Sequence, residues 1–145
     1  MRLTVHTDYA LRMLTHLGVL EGRTATIEEV AAAYGISRNH LMKVAHRLGK
    51  AGFVETIRGR GGGLRLARPA AEIGIGEVVR ATEEDFALVE CFPPLQKDCS
   101  IWPACSLRHV LAEALEAYFA VLDKHTLADL LQNRTQLSAL LRIAI

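Results

Sequence analysis

Apolar positions recur every three or four residues along most of this chain, and the breaks fall at glycines and hydroxyl side chains. Tyr9, Ala10, Met13, Leu14 and Leu17 share one face, so a first helix is expected, capped by Thr7 and closed by Gly18 and Gly22. In "TIEEVAAAYGIS" the Thr26–Glu29 spacing is a capping box, in which each side chain satisfies an unpaired backbone donor. Ile27, Val30, Ala31 and Tyr34 then line one face, and Gly35 permits a sharp turn. Ser37 is a good N-cap for "RNHLMKVAHRLGKAG", where Leu41, Val44, Ala45 and Leu48 form the buried stripe. Asn39, Lys43, His46 and Lys50 fall on the opposite, polar face.

Two helices joined by a glycine turn suggest a helix-turn-helix, whose second helix can enter a DNA major groove. The period then shortens. "FVETIRGRGGGLRLARP" holds two strand-like runs, Phe53–Arg58 and Leu64–Ala67, around a glycine-rich tip. A basic hairpin after a recognition helix is a wing. The glycines do not read as a nucleotide-phosphate loop, because no helix start follows and no Walker lysine is present. Residues 74–84 form a short helix burying Ile75, Val78 and Val79.

The strongest pattern is "SLRHVLAEALEAYFAVLDKH". Leu107, Leu111, Ala114, Tyr118 and Val121 follow a coiled-coil seam, with Val110, Leu115, Phe119 and Leu122 as a second apolar line. Two lines on one helix suggest that one packs on its own protomer and the other on a second copy. "TLADLLQNR" adds a short amphipathic turn, and beyond Asn133 the pattern is uninformative. The expected fold is mainly α with a small β-hairpin: a winged helix-turn-helix plus a long C-terminal dimerisation helix. Its parts are a DNA-binding domain at 1–82, a loop at 83–106, and the dimerisation helix with the C-terminal segment at 107–145.

Charge sharpens this picture. Residues 37–68 carry eight Lys or Arg against the single acid Glu55, a net +7 in a chain whose total is +1, leaving −6 elsewhere. Such a block suggests a polyanion-binding surface. Asn39, His40 and Lys43 are candidates for base contacts, Ser37 and Arg38 for the DNA backbone, and Arg58 and Arg60 for wing contacts. A two-fold dimer presents two recognition helices to successive grooves and so matches a palindromic site. No apolar run reaches the ~18 residues of a membrane span. Asp8 and Arg12 interrupt any signal-peptide core near the N-terminus, so a cytoplasmic protein is expected.

All three cysteines lie in "CFPPLQKDCSIWPAC", at 91, 99 and 105. A disulfide would strand one thiol and would be unusual in the cytosol. A catalytic thiol leaves two without purpose, and no Cys-x-x-Cys pair or nucleophile–base constellation supports a thiol redox enzyme. Structural zinc favours shorter spacings than the seven and five residues found here. An iron–sulfur cluster takes its thiolates from a loop, and Pro93, Pro94 and Pro103 keep this loop out of helix. The spacing favours a cluster and leaves zinc open.

"TDYALRML", "YGISRNHLMKV", "GFVETIRGRGGGLRLARP", "IGIGEVVR", "LVECF" and "PAC" together resemble the NsrR family of nitric-oxide-sensing, iron–sulfur winged-helix repressors, from about Leu3 to about Asn133. The resemblance implies a homodimer that binds palindromic promoters, represses nitrosative-stress genes and is not an enzyme. It implies a 4Fe–4S cluster on Cys91, Cys99 and Cys105, with a two-iron cluster as the alternative, and nitric oxide as effector. The family has a shorter gap between its first two cysteines, so this loop has to bulge. The resemblance offers Asp8, from the other subunit, as fourth ligand. By itself Asp8 is an acid in a helix's first turn, favourable to the dipole there. His109, one turn past Cys105, is the rival, out of register with the histidine of a related regulator of cluster assembly, and His6 is a weaker choice. A regulator of the same architecture sensing iron supply or redox state remains the alternative reading.

Overall fold

Thr4, rather than Thr7, caps the first helix. In a computed structural model that describes residues 2–96 and 98–144, α1 runs Val5–Val19, and the Thr4 hydroxyl accepts from the Thr7 N–H at 3.3 Å. Thr7 is itself fully buried. The preference for Thr4 is tertiary: its N–H and hydroxyl both donate to Glu83 Oε1, at 2.8 and 3.0 Å, across 79 residues of sequence. Gly18 lies inside α1, not past its end. A β-carbon there would come within 2.6 Å of Leu131 Cδ1, so the glycine lets the C-terminal segment close on α1.

Helices α2 (Ile27–Tyr34) and α3 (Arg38–Lys50) form the expected pair. The Thr26–Glu29 capping box is present, Gly35 turns the chain at φ 63°, and Ser37 caps α3 by accepting from the His40 N–H. Leu41, Val44 and Leu48 are buried, as the periodicity predicts. Strands β1 (Val54–Ile57) and β2 (Gly63–Leu66) pair antiparallel, with Val54 opposite Leu66 and Ile57 opposite Gly63. A third partner, Ala25, exchanges both backbone hydrogen bonds with Leu64, at 2.9 and 2.7 Å, and so fastens the wing to the segment before α2. Gly63, at φ 154°, permits this approach: a β-carbon would meet the Ala25 carbonyl oxygen at 2.6 Å.

Helix α4 (Ile75–Thr82) leads through the cysteine loop to α5 (Leu107–Leu122), followed by α6 (Leu127–Leu130) and α7 (Arg134–Leu141). The core gathers Met13, Leu14 and Leu17 of α1 with Leu41 and Leu48 of α3, Phe53, Ile73 and Leu127. Helix α1 is central and touches α3, α4, β2, α6 and α7.

The two apolar lines of α5 sort differently from the sequence reading. None of its side chains is buried. Leu111, Leu115, Tyr118, Phe119 and Leu122 are half-covered, and Phe119 meets Phe86 edge-on at 4.7 Å. Leu107, Val110, Ala114, Ala117 and Val121 face outward, alternating three and four residues apart. Both lines are apolar, so periodicity alone could not say which was inner. Among the described residues no helix is long and apolar enough to cross a membrane.

Candidate DNA-reading face and cysteine hollow

The N-terminal half of α3 is an open polar surface. Ser37, Arg38, Asn39, His40 and Lys43 are all exposed, because Leu41, Val44 and Leu48 take the inner face. Arg38 pairs with Glu28 at 2.6 Å, but both side chains are mostly exposed, and such pairs are worth ~0–1 kcal/mol, little enough to exchange for a phosphate. His40 is braced by Tyr9 of α1, ring centroids 6.0 Å apart. Arg58 and Arg60 are exposed at the wing tip, which Thr24 steadies by donating to the Gly61 carbonyl at 2.9 Å.

Half of the basic block is already engaged. Besides Arg38, Arg65 pairs with Glu55 at 2.7 Å, and Arg68 with Glu77 at 2.6 Å. Arg47 turns inward, donating to the carbonyls of Ala81 at 2.8 Å and Glu83 at 3.1 Å. Sequence counting treats these arginines alike; only the fold separates them. Lys43, Lys50, Arg58 and Arg60 form no ion pair among the described residues.

The three cysteines line one hollow of ≈ 390 Å³ at the foot of α5, with Val89, Leu107 and Arg108 among its walls. All are free thiols; Cys91 and Cys105 are half-buried and Cys99 is exposed. Cys99 and Cys105 reach the same hollow because a single 3₁₀ turn, Trp102–Ala104, folds the chain back between them. The Trp102 N–H donates to the Cys99 carbonyl at 2.9 Å, and the Cys105 N–H to that of Trp102 at 3.4 Å. Cys105 also immediately precedes Ser106, the residue from which α5 starts. The proline-broken loop thus presents thiols at a surface rather than sealing them in the core. Among the described residues, no three His, Cys, Asp or Glu side chains close on one point as a single-ion site requires.

The structure does not bring the candidate fourth ligands to this hollow in the same protomer. Asp8 sits in the first turn of α1, salt-bridged to Arg12 at 2.8 Å and about half-exposed, and is not among the lining residues. His109 is exposed, its Nε2 accepting from Arg108 Nε at 3.3 Å. His6 lies near Arg47 and Glu83, its Nε2 buried without a partner; burial, then the Arg47 charge, holds its pKa below the ordinary imidazole value.

Comparison with known proteins agrees with this architecture. The chain is 54% identical over 144 residues to the HTH-type transcriptional regulator NsrR of Bacillus subtilis (strain 168), covering 99% of both chains. Among solved structures it is similar to CymR, the global cysteine regulator of B. subtilis (TM-score 0.73, 25% identity, 90% of this chain and 95% of that one). It is likewise similar to T. potens IscR (TM-score 0.71, 27% identity, 92% of this chain and 88% of that one). Residues 3–133 match Rrf2, described as an iron-dependent transcriptional regulator, and the chain belongs to that family of winged-helix, DNA-binding regulators.

Proposed function

We propose that the protein is a cytoplasmic homodimeric repressor that binds palindromic promoter DNA and releases it when nitric oxide attacks an iron–sulfur cluster held by Cys91, Cys99 and Cys105. The observation that carries this reading is the placement of all three thiols around one hollow at the foot of the helix that bears an uncovered apolar seam. The donor set fits the group. Zinc needs four donors near ~2.3 Å from one point, whereas a 4Fe–4S cluster takes one thiolate per iron and wants its sulfurs spread around a cavity.

When bound, the cluster supplies iron open to attack by a small diatomic molecule. The chain's residues do the rest. Cys91, Cys99 and Cys105 tie the 83–106 loop to the start of α5. The outward line of α5 pairs with its copy and sets the distance between the two α3 helices. Asn39, His40 and Lys43 reach bases, Ser37 and Arg38 the backbone, and Arg58 and Arg60 the phosphates or minor groove beside them. Asp8 of the partner subunit would complete the ligand set, giving up its salt bridge to Arg12. A carboxylate is a harder donor than a thiolate, so the iron it held would be the less firmly bound one.

Iron and acid-labile sulfide analysis of anaerobically prepared protein tests the assignment. About four irons per protomer are expected, falling to background in Cys99→Ala while the dimer stays folded. Zinc in place of iron would refute it. Iron supply is a second signal for the same loop, favoured by the family's description as iron-dependent; a regulator of that kind loses its DNA on chelation and is indifferent to nitric oxide.

A further inference from the structure

Resting on that reading, we infer that Arg47 is the positioning residue through which the state of the cysteine loop reaches the DNA-reading helix. Its place in the basic block suggests a phosphate contact, yet its guanidinium points away from that surface. Nε and Nη2 cap the C-terminal end of α4 by donating to the Ala81 and Glu83 carbonyls, acceptors that a helix end leaves unpaired. Glu83 closes α4, its N–H donating to the Val79 carbonyl, and the cysteine loop departs from that residue. The Glu83 carboxylate in turn holds Thr4, the cap of α1, by two hydrogen bonds.

Three elements therefore meet at one residue: α3 with the DNA-reading side chains, α1 with Asp8 in its first turn, and the start of the segment that carries the thiols. The inner face of α3 packs through the apolar Leu41, Val44 and Leu48, which are non-directional contacts, whereas a two-pronged arginine bond to two carbonyls fixes direction as well as distance. A pull on the 83–106 loop, or on the start of α1, is delivered to α3 one turn before its end.

The test compares wild type with Arg47→Met and Arg47→Lys. Each is prepared with and without cluster, and its affinity is measured over a range of salt for a duplex selected from a random-sequence pool. Hydrogen exchange is followed on the cluster-free proteins. In Arg47→Met, cluster absorption and the salt slope stay as in wild type, while the ratio of affinities with and without cluster falls by about fivefold or more. Exchange quickens at residues 4–8 and 83–90 and is unchanged across the wing. Arg47→Lys, which keeps the charge and can reach only one carbonyl, shows the same changes at smaller amplitude and decides the matter if the methionine variant does not fold. A preserved ratio with a salt slope reduced by about one would make Arg47 a phosphate ligand and overturn the inference. Unchanged exchange at 4–8 would do the same. If wild type itself takes no cluster, the sensing role falls, and exchange at 4–8 and 83–90 still decides whether Arg47 joins the three elements.

Discussion

Arg80 and Asp123 face each other through two parallel hydrogen bonds of 2.6 and 2.7 Å, and this fork fixes the C-terminal end of α5 to α4. Arg80 also lies 4.1 Å over the Phe119 ring, and the Ile75 N–H donates to the His125 carbonyl beside it. One end of α5 is thus clamped to α4, while its other end starts at the cysteine hollow.

Gly76 leaves room for the clamp, since a β-carbon there would overlap Asp123 Oδ1 and come within 2.9 Å of Arg80 Nη1. Gly76→Ala therefore lowers the urea midpoint in wild type. In an Asp123→Ala background the same change is no longer destabilising, because alanine is the better helix former by ~1 kcal/mol. Equal destabilisation in both backgrounds would place the crowding elsewhere.

The outward line of α5 is expected to hold the dimer. Leu107, Val110 and Val121 are 60, 59 and 55% exposed in the single chain, an unusual exposure for a regular apolar seam. Val110→Glu with Ala117→Glu yields a folded monomer by sedimentation, with far weaker operator binding. Phe119→Ala, on the inner line, lowers protomer stability instead, by about 1–3 kcal/mol for a half-buried aromatic.

Wing contacts are read by salt. Arg58→Ala and Arg60→Ala should each weaken binding to all duplexes and reduce the slope of log affinity against log salt by about one. An unchanged slope would remove the phosphate role.

His16 sets a pH dependence. It is 97% buried from solvent, with Nδ1 unpartnered, and burial holds its pKa below the ordinary imidazole value, with Glu29 opposing. The unfolded chain takes up that proton near pH ~6.5 and the folded chain resists it, so the stabilisation is complete above that pH and is lost as pH falls below it. Urea unfolding from about pH 7.5 to about pH 5.5 should show falling stability, with a shallower fall in His16→Phe. His6 has the same sign and remains in both proteins.

Local chemistry made much of this legible in advance. The Thr26–Glu29 box, the Ser37 cap and the Leu41–Val44–Leu48 stripe depend on neighbours within a turn, and each sits where its spacing places it. The clustering of Cys91, Cys99 and Cys105 was likewise visible, and one 3₁₀ turn brings the latter two together. What sequence could not supply were decisions made across the fold. Thr4 prevails over Thr7 as cap because Glu83 holds it, and Arg47 leaves the basic face because α4 ends beside it. Helix α7 escaped notice because Asn133 makes no side-chain cap and Arg134 ties it down from afar, donating to the Val19 carbonyl at 2.8 Å.

Iron bound by the cysteine loop is expected to set the protein's grip on DNA. The most direct measurement of this dependence is an anaerobic nitric oxide titration in which visible absorption and operator binding are followed in one sample. Both are expected to change together, and cluster-free protein is expected to bind the operator weakly whether or not nitric oxide is added. Full-strength binding by colourless, iron-free protein would contradict it.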